Sequence, residues 1–302
     1  MLPLVLVAIS LAPVVAIIWF IYTRDKYEKE PTRLLILAFV YGLISVIPAL
    51  AGSYLGSQTG INPNAGLFDA FIFAFVIVAL AEELGKFLLL RYGLFNHKSF
   101  DEPFDGIVYS VMIGMGFAAL ENVLYALDGG LQVAILRMFT AVPGHASFGV
   151  IMGYYVGLAK FEPQKRNQHL LTGLFGATIA HGTYDFFLMQ NSIPGIGFGA
   201  FVALGVCIRY CIIAIKMHQH VSPFKNMSET ANTNQSQSDT YTVNNTQNLN
   251  TAYSPAELDV IAQITIKPYV EENNELPADS NQEDEEQTED INKSPRKPPL
   301  IP

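Results

Sequence analysis

Six ionisable residues fall inside stretches of this chain that are otherwise apolar: Glu82, Glu83, Glu121, His145, His181 and Asp185. A charged group in hydrocarbon is costly unless it finds a partner or faces water, so such residues mark a functional interior. Their types are those that move protons, bind metal ions and activate water. Lys86 stands three residues after Glu83 and four after Glu82, so on a helix either carboxylate can pair with it. Adjacent helical residues point about 100° apart, so Glu82 and Glu83 cannot both face one point squarely. One can be paired and structural while the other faces a reaction site. Two carboxylates beside one ammonium leave an excess negative charge, which calls for a metal, a proton or a second cation. An ion pair that only locks helices together is the plainer reading of the same residues. His181 and Asp185 are four apart, which stacks them on one helix face where both can ligate one ion or hydrogen-bond to each other. The plainer reading there is a core histidine with a satisfied ring. Asn122 directly follows Glu121, and its amide can orient neighbouring groups or a substrate carbonyl. Arg137 lies near the expected outer boundary, where a long side chain can reach the interface.

The elements that must carry these residues are membrane-length helices. About seven candidate spans can be drawn, roughly 3–22, 34–56, 67–90, 105–127, 132–158, 170–189 and 195–217. Each is near the roughly 20 residues that cross about 30 Å of hydrocarbon. The expected fold is therefore all-α: a polytopic membrane helix bundle with a disordered cytoplasmic C-terminal tail. The first stretch has no basic residue before it and no Ala-x-Ala site, so it reads as a retained anchor rather than a cleaved signal.

Loop charge then sets orientation. Arg24, Lys26, Lys29 and Arg33 follow the first span, Arg91 and Lys98 the third, Lys160, Lys165 and Arg166 the fifth, and Lys216 and Lys225 the seventh. The intervening loops, 57–66, 128–131 and 190–194, carry no Lys or Arg. Every second loop is basic, which predicts an outside N-terminus and a cytoplasmic C-terminus in the cell membrane. In this frame His145 and His181 come at mid-membrane, Glu82 nearer the cytoplasm and Glu121 nearer the outside. Straight helices leave Glu82 and Glu121 roughly 10–15 Å apart in depth. Tilt, shifted boundaries or a re-entrant 101–104 segment is needed to bring them together.

Composition divides the 302 residues into two parts. The chain is 50% hydrophobic and 15% charged, but residues 1–220 hold nearly all the apolar runs. Residues 221–302 are rich in Asn, Ser, Thr, Gln, Glu and Pro, which cannot bury enough surface to offset chain entropy. The net charge of −9 comes largely from this second part, with Glu283–Glu286 and Glu289-Asp290 as its acidic cluster. That charge argues against nucleic acid as a partner and for a solvated tail. Ser254-Pro255-Ala256-Glu257 has the pattern of a helix start, so a short helix is expected after it. Cys207 and Cys211 stand four apart in an apolar run, without a Cys-x-x-Cys pattern, and read as packing residues. Gly149, Gly153 and Gly157 form a small-residue stripe suited to close helix approach, within the bundle or between copies. Pro143-Gly144 predicts a break in the fifth span just before His145, and with it a wet cavity.

Taken in order, the segments resemble the PrsW family of intramembrane proteases, and in motif layout the wider group of CAAX-processing and bacteriocin-immunity membrane proteases. The resemblance is carried by Glu82-Glu83-Leu84-Gly85-Lys86, by 101–109 (Asp-Glu-Pro-Phe-Asp-Gly-Ile-Val-Tyr), by Gly116-Phe117-Ala118-Ala119-Leu120-Glu121-Asn122, by His145 with Gly153-Tyr154-Tyr155, and by 181–186 (His-Gly-Thr-Tyr-Asp-Phe). It covers about residues 10–215. Glu121 stands where the CAAX-processing relatives carry a histidine, and Asp185 where they carry an asparagine. Both departures are similar to the PrsW branch. The resemblance implies hydrolysis of peptide bonds in membrane-anchored protein substrates such as anti-sigma factors, with the lipid bilayer as the other partner. It implies Glu82 or Glu83 as the base on a water, with Lys86 or a histidine balancing oxyanion charge and Asn122 beside them. It further implies that Glu121, His145, His181 and Asp185 hold a divalent metal such as zinc, or orient the water without one. A proton-coupled transporter and a non-catalytic membrane binding protein are the competing classes. Intramembrane Glu, His and Asp also build proton relays, although the paired halves common in transporters are not seen here.

Overall fold

A computed structural model describes residues 2–225. Among these residues the regular structure is entirely helical. Helix α1 spans Leu2–Arg24, followed by α2 (Thr32–Ile44) and α3 (Val46–Ser57), nearly continuous through Ser45. The next rod comprises α4 (Leu67–Ile72), a π-helical stretch (Phe73–Ala79), α5 (Leu80–Leu89) and a second π-helical stretch (Leu90–Leu94). Then come α6 (Pro103–Phe139), α7 (Ala141–Phe161), α8 (Arg166–Met189) and α9 (Phe198–His220). The expected acidic cluster at 283–290 and the expected helix after Ser254 lie outside the described residues.

Helix α6 is the axis of the bundle. Residues 102–119 are all buried, and the helix packs against α1, α2 and α7 on its different sides. Its start is fixed chemically. The Glu102 side chain accepts the Asp105 backbone N–H, and Asp105 Oδ2 accepts the Glu102 N–H at 2.8 Å. Pro103 fills the first turn, where a missing N–H costs nothing. The 101–104 segment is thus a helix cap and not a re-entrant loop. Close approach of α6 and α7 depends on missing side chains. A Cβ on Gly106 would lie 2.6 Å from Gly157 N, and one on Gly153 would lie 2.7 Å from Ile107 Cα. The glycine stripe of α7 is used within the bundle.

The outer end of α6 departs from expectation. Gly130 has φ 74° and ψ −162°, a conformation open only to glycine, and it divides Pro103–Phe139 into two arms. The second arm, 131–139, folds back along the first. Arg137 reaches Glu121 across sixteen residues, a separation of about 24 Å on a straight helix. The fifth span, expected at 132–158, therefore begins only at Ala141. Pro143 consequently falls in the first turn of α7, and the break expected there is a helix start instead. His145 comes in the second turn. This shift of boundary, rather than a re-entrant segment, brings His145 level with Glu121.

Among the described residues, four stretches are long and apolar enough to cross a membrane: Leu2–Arg24, Thr32–Ser57, Pro103–Phe161 (interrupted at Gly130 and Thr140) and Phe198–His220. Their outer faces leave large apolar side chains exposed, among them Val15, Trp19, Ile47, Leu50, Val202 and Val206. Helix ends expected on one side of the membrane meet each other. Lys160 Nζ donates to the Phe95 carbonyl at 2.7 Å, and Gln219 Nε2 donates to the Arg24 carbonyl. On the other side Asn191 Nδ2 donates to Asn64 Oδ1 at 2.6 Å. The residues just after α9 pack back on the bundle: Ser222 is buried and its hydroxyl donates to Glu102. Cys207 and Cys211 are free thiols on the packed face of α9.

Candidate active site

Helix α5 supplies Glu82, Glu83 and Lys86, all buried. Short residues let its neighbours approach: a Cβ on Gly85 would meet Pro48 Cγ at 2.8 Å, and one on Gly182 of α8 would meet Phe75 Cγ at 2.7 Å. The π-helical stretch before α5 packs directly on α8, and such wide turns recur at functional sites. Glu83 Oε1 accepts from Lys86 Nζ at 2.8 Å and lies 3.0 Å from His181 Nδ1. Glu82 Oε2 is 3.5 Å from Lys86 Nζ and 3.9 Å from His181 Nε2, and no hydrogen-bond donor reaches it. The two adjacent glutamates thus differ as their angular separation requires. Glu83 is tied down, and Glu82 presents an oxygen that accepts no hydrogen bond.

The histidines come from α7 and α8. His145 Nδ1 is 3.3 Å from Lys86 Nζ, and its Nε2 is 2.8 Å from Glu121 Oε2. An ammonium can only donate and a carboxylate only accept, so the ring proton belongs on Nε2 and the Nδ1 lone pair faces the centre. His181 lies between carboxylates, with Nδ1 at Glu83 and Nε2 3.3 Å from Asp185 Oδ2. A neutral ring has one N–H to give. Its other nitrogen then faces a carboxylate lone pair to lone pair, which needs a cation between them. Phe148 stacks on His181 at 4.7 Å between centroids, and Phe117 lies 3.8 Å beneath Lys86 Nζ. These rings fix the imidazole plane and the ammonium.

The structure brings seven of the eight expected site residues into one connected network. Glu82, Glu83, His145 and His181 are the group whose donor atoms all lie within 4.8 Å of one another. Glu121 and Asp185 lie one contact further out, each on the far nitrogen of a histidine. Lys86 is central. Asn122 turns away: its Oδ1 accepts from Arg137 Nε at 2.7 Å, and it makes no contact with the glutamate–histidine group. Arg137, read from sequence as an interface residue, instead pairs with Glu121 at 2.6 Å. The signal for this lay in Gly129-Gly130, which permits the fold-back.

The donor set fits a divalent ion. Two imidazoles and two carboxylates are the nitrogen and oxygen ligands zinc takes. Glu82 Oε2 is a buried polar atom without a donor. At ordinary charges, four carboxylates against one ammonium and one guanidinium leave two negative charges when both imidazoles are neutral. That deficit equals the charge of one divalent ion.

Comparison with known proteins agrees with this geometry. Residues 30–215 match the family model described as PrsW family intramembrane metalloprotease. The chain is 38% identical over 199 residues to Protease PrsW of Geobacillus kaustophilus, covering 65% of this chain and 85% of that protein. It is 33% identical over 188 residues to Protease PrsW of Bacillus subtilis (62% and 84%), and 35% identical over 188 residues to that of Clostridioides difficile (60% and 78%). No solved structure matches the chain. With the match extending from the loop before α2 through all the helices that hold the site, the chain belongs to the PrsW family of intramembrane metalloproteases and is a multi-pass membrane peptidase.

Proposed function

We propose that this peptidase hydrolyses peptide bonds of membrane-anchored proteins at the centre formed by α5, α7 and α8, with Glu82 as the general base. The observation that carries the reading is the convergence of four buried donor atoms, of which the Glu82 oxygen alone lacks a hydrogen-bond donor. Glu83, His145 and His181 would hold a divalent ion such as zinc, which supplies Lewis-acid polarisation of a carbonyl and acidification of water. Glu82 Oε2 takes a proton from water as the water oxygen bonds to the scissile carbonyl carbon. It returns that proton to the amine nitrogen as the C–N bond breaks. Lys86 fixes Glu83 and offers its ammonium to the negative charge that grows on the carbonyl oxygen. Glu121 and Asp185, expected from sequence as ligands, act here through the far nitrogens of His145 and His181. Asn122 anchors Arg137 rather than touching substrate.

The substrate approaches from the side of Glu121, Asp185 and Arg137. Their side chains are 16%, 12% and 18% exposed, while Glu83 and both histidines are at most 4% exposed. A single-span protein such as an anti-sigma factor fits that lateral approach. We also retain seven crossings with the N-terminus outside and the C-terminus cytoplasmic. In support, ends that carry or adjoin the basic loops meet in pairs, the fifth span with the third and the seventh with the first and the fourth, and two of the three basic-free loops, 57–66 and 190–194, meet separately.

The test uses full-length protein purified in detergent, assayed for zinc content and for cleavage of a co-reconstituted single-span substrate. Glu82→Gln is expected to keep the metal and lose about 10²–10⁴-fold in cleavage rate. His145→Ala and His181→Ala are expected to lose both. Metal retained in both histidine variants, or full cleavage by Glu82→Gln, would overturn the assignment. Liposome uptake abolished by these same changes is the result a carrier would give.

A further inference from the structure

We infer that Arg137 is a positioning residue for this centre, holding Glu121 so that Glu121 in turn keeps the His145 proton on Nε2 and turns the Nδ1 lone pair inward, to the Lys86 side of the centre. The inference rests on the peptidase reading above. Arg137 is held on three sides by residues of α6: Nη2 donates to Glu121 Oε2 at 2.6 Å, Nε donates to Asn122 Oδ1 at 2.7 Å, and the guanidinium lies 4.1 Å from the Tyr125 ring centroid. The two acceptors belong to adjacent residues, so a planar fork satisfies both where a single ammonium satisfies one. The same Glu121 oxygen takes the His145 Nε2 proton at 2.8 Å.

One carboxylate oxygen therefore joins the fold-back arm to the catalytic imidazole. Without the guanidinium, nothing else among the hydrogen bonds of the described residues fixes the Glu121 rotamer apart from the imidazole itself. A rotated Glu121 leaves His145 Nε2–H without its acceptor. The ring then turns, or moves its proton to Nδ1, and presents N–H where a lone pair is needed. Partners of this kind behind a metal-binding histidine typically contribute 10–100-fold to metal affinity. The arm that delivers Arg137 is otherwise lightly held. Of residues 131–139 only Ala134 is buried, against Leu6 and Ala126. The Arg137 fork and the glycine-only backbone at Gly130 are thus what return the arm to the site.

The test measures Zn²⁺ affinity of the full-length protein by chelator competition, with ¹⁵N-histidine spectra reporting the His145 tautomer. Arg137→Ala is expected to weaken Zn²⁺ binding 10–100-fold and to shift the His145 Nδ1 signal towards the protonated form. Arg137→Lys should recover part of the affinity, and methylguanidinium added to Arg137→Ala should recover more. Rescue by the small cation separates positioning from misfolding. Wild-type affinity and tautomer in both variants, or a loss that neither lysine nor methylguanidinium relieves, would overturn the inference. If His145→Ala and His181→Ala also kept their zinc, the peptidase centre itself would fail. If they lost it while Arg137→Ala did not, only the role of Arg137 would.

Discussion

Two polar clusters occupy the two ends of the buried part of α6, and they manage buried charge in opposite ways. Around Glu121, carboxylates alternate with Lys86, Arg137, His145 and His181, and each of the four acids has an oxygen within 3.5 Å of a cation or an imidazole. Sixteen residues away, about 24 Å along the helix, Asp105 belongs to a group that includes Asp25, Glu30 and Glu102, each at most 3% exposed. Here Asp25 Oδ1, Glu30 Oε1 and Asp105 Oδ1 have no hydrogen-bond donor. The nearby Lys29 gives its ammonium to the carbonyls of Tyr22 and Asp25. Asp105 Oδ2 instead takes two backbone N–H groups, from Asp101 and Glu102. Glu30 takes the Tyr109 hydroxyl, and Glu102 takes that of Ser222. Burial pushes the Glu30 carboxyl up to about 7, moderated by the neighbouring Asp105 carboxyl and the Tyr109 hydroxyl, and pushes Glu102 to about 7 and Asp25 to about 6. One cluster is neutralised by fixed cations and rings that point in set directions. The other is neutralised by protons and backbone dipoles. Directed partners suit a reaction centre, and shared protons suit a clasp between the α1–α2 loop, the start of α6 and the end of α9.

The largest effect is expected from removing an anion from the first cluster. Glu83→Ala strips Lys86 and His181 of their shortest contact at once and leaves a buried ammonium whose one remaining anion is Glu82 at 3.5 Å. Breaking a buried pair on one side costs roughly 3–5 kcal/mol. A large drop in thermal stability of the detergent-solubilised protein is expected, together with loss of cleavage. If unfolding were unchanged, the ion pair would not be part of what holds α5 in place.

How much of this could be read in the sequence follows from the same physics. The polar positions of spans three to six were legible because ionisable residues stand out against apolar runs, and helical spacing gave the Glu83–Lys86 and His181–Asp185 contacts directly. The roles within the site were less legible. Which glutamate is tied down depends on where α8 packs, and that is set by Gly182 against Phe75. Arg137 was missed because hydropathy treats 132–158 as one span, whereas a single glycine at φ 74° folds the first third of it back. The motif at 101–109 shows one half of the acid clasp without its partner, since Asp25 and Glu30 meet it through tertiary contact that no local spacing encodes.

A smaller effect separates proton compensation from cation compensation. Glu30 has its folded pKa raised from 4.5 to about 7, so the clasp holds that proton more tightly than the unfolded chain does. Its stabilising share is fully present below about pH 4.5 and is lost as pH rises through 7. Glu30→Gln keeps an acceptor for Tyr109 without an ionisable proton. It is expected to melt like the wild type near pH 4.5 and to be more stable at pH 8, by roughly 1–3 kcal/mol. Equal melting of the two proteins at both pH values would mean that Glu30 is not held by its proton.

The smallest expected change is at Ser222. Its hydroxyl donates to Glu102 and draws that carboxyl's pKa down against the effect of burial. Ser222→Ala deletes one hydrogen bond, a loss of about 1 kcal/mol. Glu102 then loses a donor that favours its ionised form, so its folded pKa moves up from about 7. Two readouts follow from the one substitution. Thermal stability falls slightly, and the midpoint of the stability decline with pH shifts to higher pH. A shift to lower pH would mean that Ser222 accepts a hydrogen bond from a protonated Glu102 instead of donating one, and the clasp would then carry its proton on the α6 side of that contact.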